Sequence, residues 1–206
     1  MGLFAPLIDQ LAEQHWAVSR ELFSMAEIEA LACEAWHGWR NGLFLQAAIG
    51  RDAQRQVRSE IRGDFIRWLD EHALTPAQTS YWMKMEQLKE ALNQALFVGL
   101  RELEAHYAVY PPGAFYRKHL DRFRTDDARL ISTSLYLNID WPEAAGGALR
   151  LYPCQDEPQR FVDVLPQAGT LVVFRSDTIY HEVLPATRMR LSLTGWFRRR
   201  SLRLQA

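Results

Sequence analysis

The chain has 206 residues, 48% of them hydrophobic and 24% charged, the balance of a soluble globular protein that can bury a full core without a metal or disulfide staple. Its 25 acidic and 24 basic residues leave a formal charge of −1, which argues against a surface built wholly for nucleic acid. Two cysteines, Cys33 and Cys154, are too few for a disulfide framework and suit a reducing compartment. The opening residues lack the pattern of a signal peptide or a myristoylation site, and no apolar run approaches the roughly 18 residues of a membrane span. The expectation is a cytoplasmic enzyme or binding module, one domain over residues 1–206, monomeric, without membrane or nucleic-acid partners.

The first hundred residues read as mainly helical. PLIDQLAEQHWAVS, from Pro6, places Leu7, Leu11 and Val18 on one helical face. A second helix opens on the capping box Ser24…Glu27, with Met25, Ile28, Leu31, Cys33 and Ala35 as its apolar positions and Gly38 or Gly42 as its stop. Residues 42–59 fit no regular element and read as a long loop or hairpin, and long loops in compact domains are usually functional. IRGDFIRWL then reads as a strand. A third helix opens on Thr75-Pro76 with Gln78 completing a second capping box, and runs through Leu88, Leu92, Ala95 and Leu96.

From about residue 103 the pattern becomes strand-like. LEAHYAVY, AFYRKHLD, RLISTSLYLNI, GALRLY, QRFVDVL, GTLVVF, IYHEVL and MRLSLTGWFRR are short apolar or alternating runs separated by turn residues. With no helices between them they predict an antiparallel sandwich or barrel, with the earlier helices covering one face. The class is α+β.

Phosphate loops, nucleophile elbows and HExxH are absent, and Pro153-Cys154 resembles only half of a zinc deaminase signature. What remains is His119-Leu120-Asp121, whose i and i+2 side chains leave a strand on the same side, and His181 downstream. Two imidazoles and a carboxylate form the facial triad of non-haem Fe(II) oxygenases, which leaves metal positions open. On its own the pattern is also what satisfied surface histidines produce by chance. Alternation places Arg190, Ser192, Thr194 and Trp196 on one face of the last strand, and Leu130, Ser132, Ser134 and Tyr136 on one face of an earlier one. An arginine directed into a barrel beside a metal needs an anion, and its planar fork matches a carboxylate, with Tyr136 as a second donor. The plainer alternative pairs Arg190 with an internal acid and leaves Tyr136 as core.

The set resembles the 2-oxoglutarate- and Fe(II)-dependent prolyl hydroxylase domain family, and most closely its bacterial members. IRGDFIRW, Tyr110-Pro111 leading to His119-Leu120-Asp121, Tyr136-Leu137-Asn138, Gly146-Gly147-Ala148-Leu149-Arg150, His181-Glu182-Val183 and Arg190…Thr194…Trp196 carry the resemblance over about residues 40–198. The Tyr110–His119 and Ser176–His181 segments are each one residue shorter than in the animal enzymes. The resemblance implies a double-stranded β-helix (jelly roll) with N-terminal helices packed on one sheet, helical support and flap over about 1–102, and a jelly-roll core over about 103–198. It implies Fe(II) on His119, Asp121 and His181, and 2-oxoglutarate with its far carboxylate on Arg190 and Tyr136, beside Thr194 and Tyr110. Arg129 and Trp196 would meet the substrate, and residues 42–58 would be a flap closing over a peptide.

The implied activity is trans-4-hydroxylation of a prolyl residue in a protein, with elongation factor Tu as the substrate of the bacterial members. O₂ is the oxidant, ascorbate an accessory reductant, and oxygen sensing a possible use. The competing readings are the same oxygenase chemistry on another protein residue, a free amino acid or nucleic acid, and a non-enzymatic metal-binding jelly-roll module. The basic run Phe197-Arg198-Arg199-Arg200 with Arg203 reads as a solvated strand end, or as a docking patch for an acidic partner. Cys154 and the tryptophans other than Trp196 read as core or partly buried residues, and His15, His37, His72 and His106 show no ligand spacing.

Overall fold

The first helix, α1 (Ala5–Gln14), ends sooner than its periodicity predicts. His15 adopts a left-handed conformation at φ 69°, its N–H closing on the Leu11 carbonyl. Trp16–Ser19 then leaves as strand β1 instead of continuing the helix. Val18 satisfies both a helical and a two-residue period, and the strand prevails because it divides the side chains: Ala17 turns to the helix-side core, Trp16 and Val18 to the opposite one. The computed structural model describes residues 2–48, 56–122, 128–154, 156–157 and 159–199, so residues 49–55 of the proposed flap lie outside the described residues, as do Arg200 and Arg203.

Helix α2 (Met25–Arg40) has the predicted capping box, Ser24 with Glu27. Glu27 also accepts hydrogen bonds from Lys84 Nζ and Ser80 Oγ, both at 2.6 Å, which ties α2 to helix α3 (Pro76–Leu96). The buried stripe of α2 is Ile28, Leu31, Ala32, Ala35 and Gly38, narrower than predicted. Met25, Cys33 and Trp36 face solvent. Gly38 is no stop: it lies inside the helix, where a Cβ would stand 3.1 Å from the Phe44 ring, and the chain turns at Gly42 with φ +68°. Helix α3 carries its Thr75/Gln78 box and buries Tyr81, Met85, Leu88 and Leu92, while Ala95 is exposed.

Two further strands precede the jelly-roll core: β2 (Leu45–Gln46) and β3 (Phe65–Trp68). The core itself consists of β4 (Glu102–Tyr110), β5 (Tyr116–His119), β6 (Arg129–Tyr136), β7 (Leu149–Tyr152), β8 (Val162–Val164), β9 (Leu171–Arg175), β10 (Tyr180–Val183) and β11 (Arg190–Arg198). A seven-stranded sheet runs β1-β9-β6-β11-β4-β3-β2 and a four-stranded sheet runs β5-β10-β7-β8. Every pairing between these strands is antiparallel. The first hundred residues thus contribute three strands to the large sheet as well as the helices.

Side-chain alternation on the large sheet separates two cores. Leu103, Ala105, Tyr107 and Val109 of β4, Leu171 and Val173 of β9, and Leu191, Leu193 and Phe197 of β11 pack against α1, α2 and α3. Ala108, Tyr110, Tyr136, Val172 and Phe174 point the other way, into the space between the sheets. The β6–β11 register shifts between Phe197 and Arg198, and Leu130 accordingly packs on the helix-side core instead of joining Ser132, Ser134 and Tyr136. Of the seven tryptophans only Trp141 and Trp196 are fully buried, while Trp36 and Trp68 are exposed; the expectation of core tryptophans was too broad. No helix among the described residues is long and apolar enough to cross a membrane.

Asn138 joins the two halves of the core. Its Oδ1 accepts the Leu191 N–H at 2.6 Å, and its Nδ2 donates to the Leu191 and Pro166 carbonyls at 2.9 and 2.7 Å. Asn138→Ala strands the Leu191 N–H and the Pro166 carbonyl and leaves the Leu191 carbonyl only the Leu137 N–H at 3.3 Å, so it should lower unfolding free energy by about 3 kcal/mol. Urea denaturation checks this, and a loss below about 1 kcal/mol would show that other groups satisfy that backbone.

Candidate functional site

The sheet register brings the predicted histidines together. His119 ends β5 and sits opposite His181 of β10, their ring centroids 4.2 Å apart. Asp121 is not on the strand, as the i, i+2 argument supposed, but just beyond it, where the turning chain carries its carboxylate to the same point. His119 Nε2 lies 3.5 Å from Asp121 Oδ1, and His181 Nε2 lies 3.6 Å from Asp121 Oδ2. Ligand atoms of the three residues all fall within 4.8 Å of one another, a set that could hold a metal ion.

Both imidazoles are oriented for that role. His119 Nδ1 donates to the Arg117 carbonyl at 2.7 Å and His181 Nδ1 to the Ile179 carbonyl at 3.2 Å. Each Nε2 lone pair is thereby left toward the shared point. Burial pushes His181 down to about 4, which keeps it neutral at physiological pH. Burial alone would raise the Asp121 carboxyl, but the His181 and His119 imidazoles and Arg129 hold it well below its ordinary value. Neutral imidazole and ionised carboxylate are the forms that bind a cation.

A buried hydroxyl pair holds the carboxylate. Ser132 Oγ donates to Asp121 Oδ2 at 2.7 Å and stands 2.8 Å from Ser176 Oγ. Neither serine was singled out for this role from the sequence, although alternation on β6 puts Ser132 on the same face as Tyr136.

Arg190 is 2% exposed. Its Nε donates to the Gly147 carbonyl at 2.9 Å, and its guanidinium carbon lies 5.0 Å from the Tyr110 ring and 4.9 Å from the Tyr136 ring. Among the described residues no acid pairs with it, so the plainer alternative of an internal ion pair is not what the structure shows. The Tyr136 hydroxyl is buried near Ser134 and Arg190 but makes no hydrogen bond of good geometry among the described residues. Burial raises both Tyr110 and Tyr136, which remain protonated donors. A cationic fork beside an unpaired hydroxyl, in the same interior as the triad, fits the far carboxylate of 2-oxoglutarate. Thr194 lies on the same side of β11, half-buried between Ser134 and His106 across the neighbouring strands.

Arg129 and Trp196 also meet. The Arg129 guanidinium lies 3.7 Å over the Trp196 ring and its Nε pairs with Glu104 at 2.6 Å. Trp196 packs against His106 at 5.4 Å and Trp68 at 6.2 Å, and its buried Nε1 has no partner. His106, set aside in the sequence for lack of ligand spacing, is a wall of this aromatic cluster, pushed down to about 4 by burial. In the basic end of β11, Arg198 pairs with Glu102 and Glu104 at 3.3 and 3.5 Å.

Residues 105–198 match the family model described as the 2OG-Fe(II) oxygenase superfamily. A Pseudomonas putida prolyl-4-hydroxylase structure is 44% identical, with a TM-score of 0.85 over 96% of this chain and 100% of that one. A Trichoplax adhaerens prolyl hydroxylase, solved with a hypoxia-inducible factor peptide fragment, is 25% identical, with a TM-score of 0.81 over 95% of this chain and 89% of that one. The hypoxia-inducible factor prolyl hydroxylase of Caenorhabditis elegans is 31% identical over 97% of this chain, which spans 29% of that protein's length.

The Ser132 hydrogen bond predicts a measurable effect on metal binding. Ser132→Ala should weaken Mn(II) affinity about tenfold, by titration calorimetry, with the circular dichroism spectrum retained. Unchanged affinity would show that Asp121 needs no such support.

Proposed function

The chain belongs to the 2OG-Fe(II) oxygenase superfamily and, within it, to the prolyl hydroxylase family, and from that premise we propose that it hydroxylates a prolyl residue of a protein at C4 in the trans sense. The whole chain, 1–206, is read as one oxygenase domain, with support and flap over about 1–102 and a core over about 103–198. The observation that carries the reading is a buried arginine without an acid partner among the described residues, opening on the same interior as two histidines and an aspartate.

His119, Asp121 and His181 would hold Fe(II), and Arg190, Tyr136, Tyr110 and Thr194 would hold 2-oxoglutarate. When bound, iron with 2-oxoglutarate and O₂ supplies the oxidising power for C–H hydroxylation, the co-substrate leaving as succinate and CO₂. The protein's own contribution is orientation and dryness. Arg190 and Tyr136 would hold the far carboxylate of the co-substrate and so orient it within the interior that the triad shares. Tyr110, Phe174 and Val172 belong to one buried apolar cluster that would keep water from the bound co-substrate. At the mouth, Trp196 and Trp68 offer flat apolar walls to a pyrrolidine ring, with Arg129 beside them to meet a peptide carbonyl or acid.

The names of the relatives support a protein substrate containing proline, and the bacterial resemblance favours elongation factor Tu. The same reading places the enzyme in the cytoplasm as a monomer, with ascorbate as accessory reductant and oxygen sensing as a use of the activity.

Incubation of the protein with Fe(II), 2-oxoglutarate and purified elongation factor Tu, followed by peptide mass spectrometry, should show one proline gaining one oxygen. Gain on another residue type, or none there or in whole extract, would overturn the prolyl assignment. His119→Ala and Asp121→Ala should reduce succinate release to background. Arg190→Ala loses a charge-assisted fork and should raise the KM for 2-oxoglutarate about 100-fold, and an unchanged KM would contradict its role.

A further inference from the structure

The two histidines are not held alike. His181 is enclosed, its side chain 6% exposed, with the Phe174 ring tilted against it at 4.6 Å. His119 stands nearer the surface at 17% and needs some other restraint. Its Nδ1 hydrogen bond to Arg117 fixes one direction within the ring but leaves the ring plane free to swing about that bond. The plane is set by Tyr116, stacked on the imidazole with centroids 3.6 Å apart and 19° between planes.

Tyr116 is clamped in turn. The Arg62 guanidinium lies 4.3 Å over the Tyr116 ring, the face of an aromatic ring being attractive to a cation. Arg62 is gripped by Asp64, Nε to Oδ1 at 2.7 Å and a terminal nitrogen to Oδ2 at 2.6 Å, and the Asp64 side chain is fully buried. The backbone supports the stack: Arg62 bridges Tyr116, Gly63 N–H donates to the Phe115 carbonyl, and Arg117 N–H donates to the Ile61 carbonyl, both at 2.9 Å. The Asp64 carbonyl also accepts the Ala47 N–H at 2.9 Å, so the strand leading to the 49–55 segment hangs from the same residue.

We propose that Tyr116, held by the Arg62–Asp64 pair, is a positioning residue for the metal centre that fixes the plane of His119 and so the direction of its Nε2 lone pair. The inference rests on the metal-site reading above and on nothing about the substrate. It assigns the Arg62-Gly63-Asp64 segment a part in holding iron, exerted through an aromatic ring and not by contact with the metal.

Cobalt(II) is the probe, because its visible absorption bands report ligand geometry without turnover. Tyr116→Leu removes the stack and should weaken Co(II) binding 10- to 100-fold and shift those bands, while Tyr116→Phe keeps the stack and should restore both to within about threefold. Arg62→Met combined with Asp64→Asn removes the clamp without leaving a lone buried charge, and should lower affinity several-fold with an intermediate band shift. A folded Tyr116→Leu protein with wild-type affinity and bands would overturn the proposal. Should that variant not fold, the Arg62/Asp64 double variant decides, and wild-type affinity and bands there would overturn it equally. A wild-type chain that binds Co(II) no better than His119→Ala would overturn the metal-site reading itself, and the proposal with it.

Discussion

A guanidinium buried to 2% exposure with no acid beside it among the described residues, Arg190, sets the terms for the interior of this fold. Such a charge is tolerated only where the surroundings are rigid and polar at the right points, and where an anion completes them. The surroundings of Arg190 are built accordingly. Asn138 grips both backbone groups of the adjacent Leu191. The Gly147 carbonyl accepts from Arg190 Nε, and this approach needs a glycine: at φ +72° a Cβ would come within 2.8 Å of the Ala186 Cβ and 3.4 Å of Arg190 Cδ. Two tyrosines flank the charge with their faces, and the buried Tyr136 hydroxyl makes no hydrogen bond of good geometry among the described residues. The Gly146-Gly147 turn, the Tyr136-Leu137-Asn138 segment and Tyr110 are therefore parts of one arrangement around one buried cation.

The same charge explains why much of the site was legible in the sequence. Strand alternation is a local, two-residue rule, and on β11 it divides Leu191, Leu193 and Phe197 from Arg190, Ser192 and Trp196 without reference to any other strand. Capping boxes at Ser24 and Thr75 are equally local, and both form. What escaped depends on tertiary context. The end of α1 at His15 follows from β1 gaining a partner in β9, which spacing within the segment cannot reveal. Leu130 changes sides because of a register shift that belongs to a pair of strands, not to one. The exposure of Met25, Cys33 and Trp36 shows that a helix lying on a sheet buries a narrower stripe than its apolar residues could cover.

The triad and its supports divide in the same way. His119 and His181 were found by residue type and confirmed as neighbours by strand register. Ser132, Ser176, Tyr116, Arg62 and Asp64 carry no distinctive spacing toward them, because a hydroxyl or a ring that steadies a ligand is chosen by distance in space. Asp121 is instructive: the expected side-by-side placement on a strand gave the right partner for the wrong local reason, since the carboxylate arrives by a turn beyond the last paired residue.

The distribution of backing between the two sheets gives these supports their purpose. The large sheet has helices packed on its outer side, and Arg190, Tyr136 and Trp196 project from strands stiffened from behind. No residue of β5, β7, β8 or β10 belongs to that helix-side cluster, yet both histidines come from β5 and β10. The four-stranded sheet packs Leu149, Leu151, Val164 and Val183 against the large sheet, and its other face carries only contacts among its own side chains: Arg150 with Asp163 at 2.8 Å, the Tyr152 hydroxyl on Glu182 at 2.5 Å, and Lys118 over the Tyr152 ring at 3.6 Å. Pairs near the surface, such as Arg150 with Asp163, resist shear weakly. A ligand histidine at the end of a four-residue edge strand in such a sheet cannot take its orientation from the sheet alone. Restraint has to arrive from outside, and a stacked ring locked by a buried ion pair supplies it where a packed helix does so for the other half of the site.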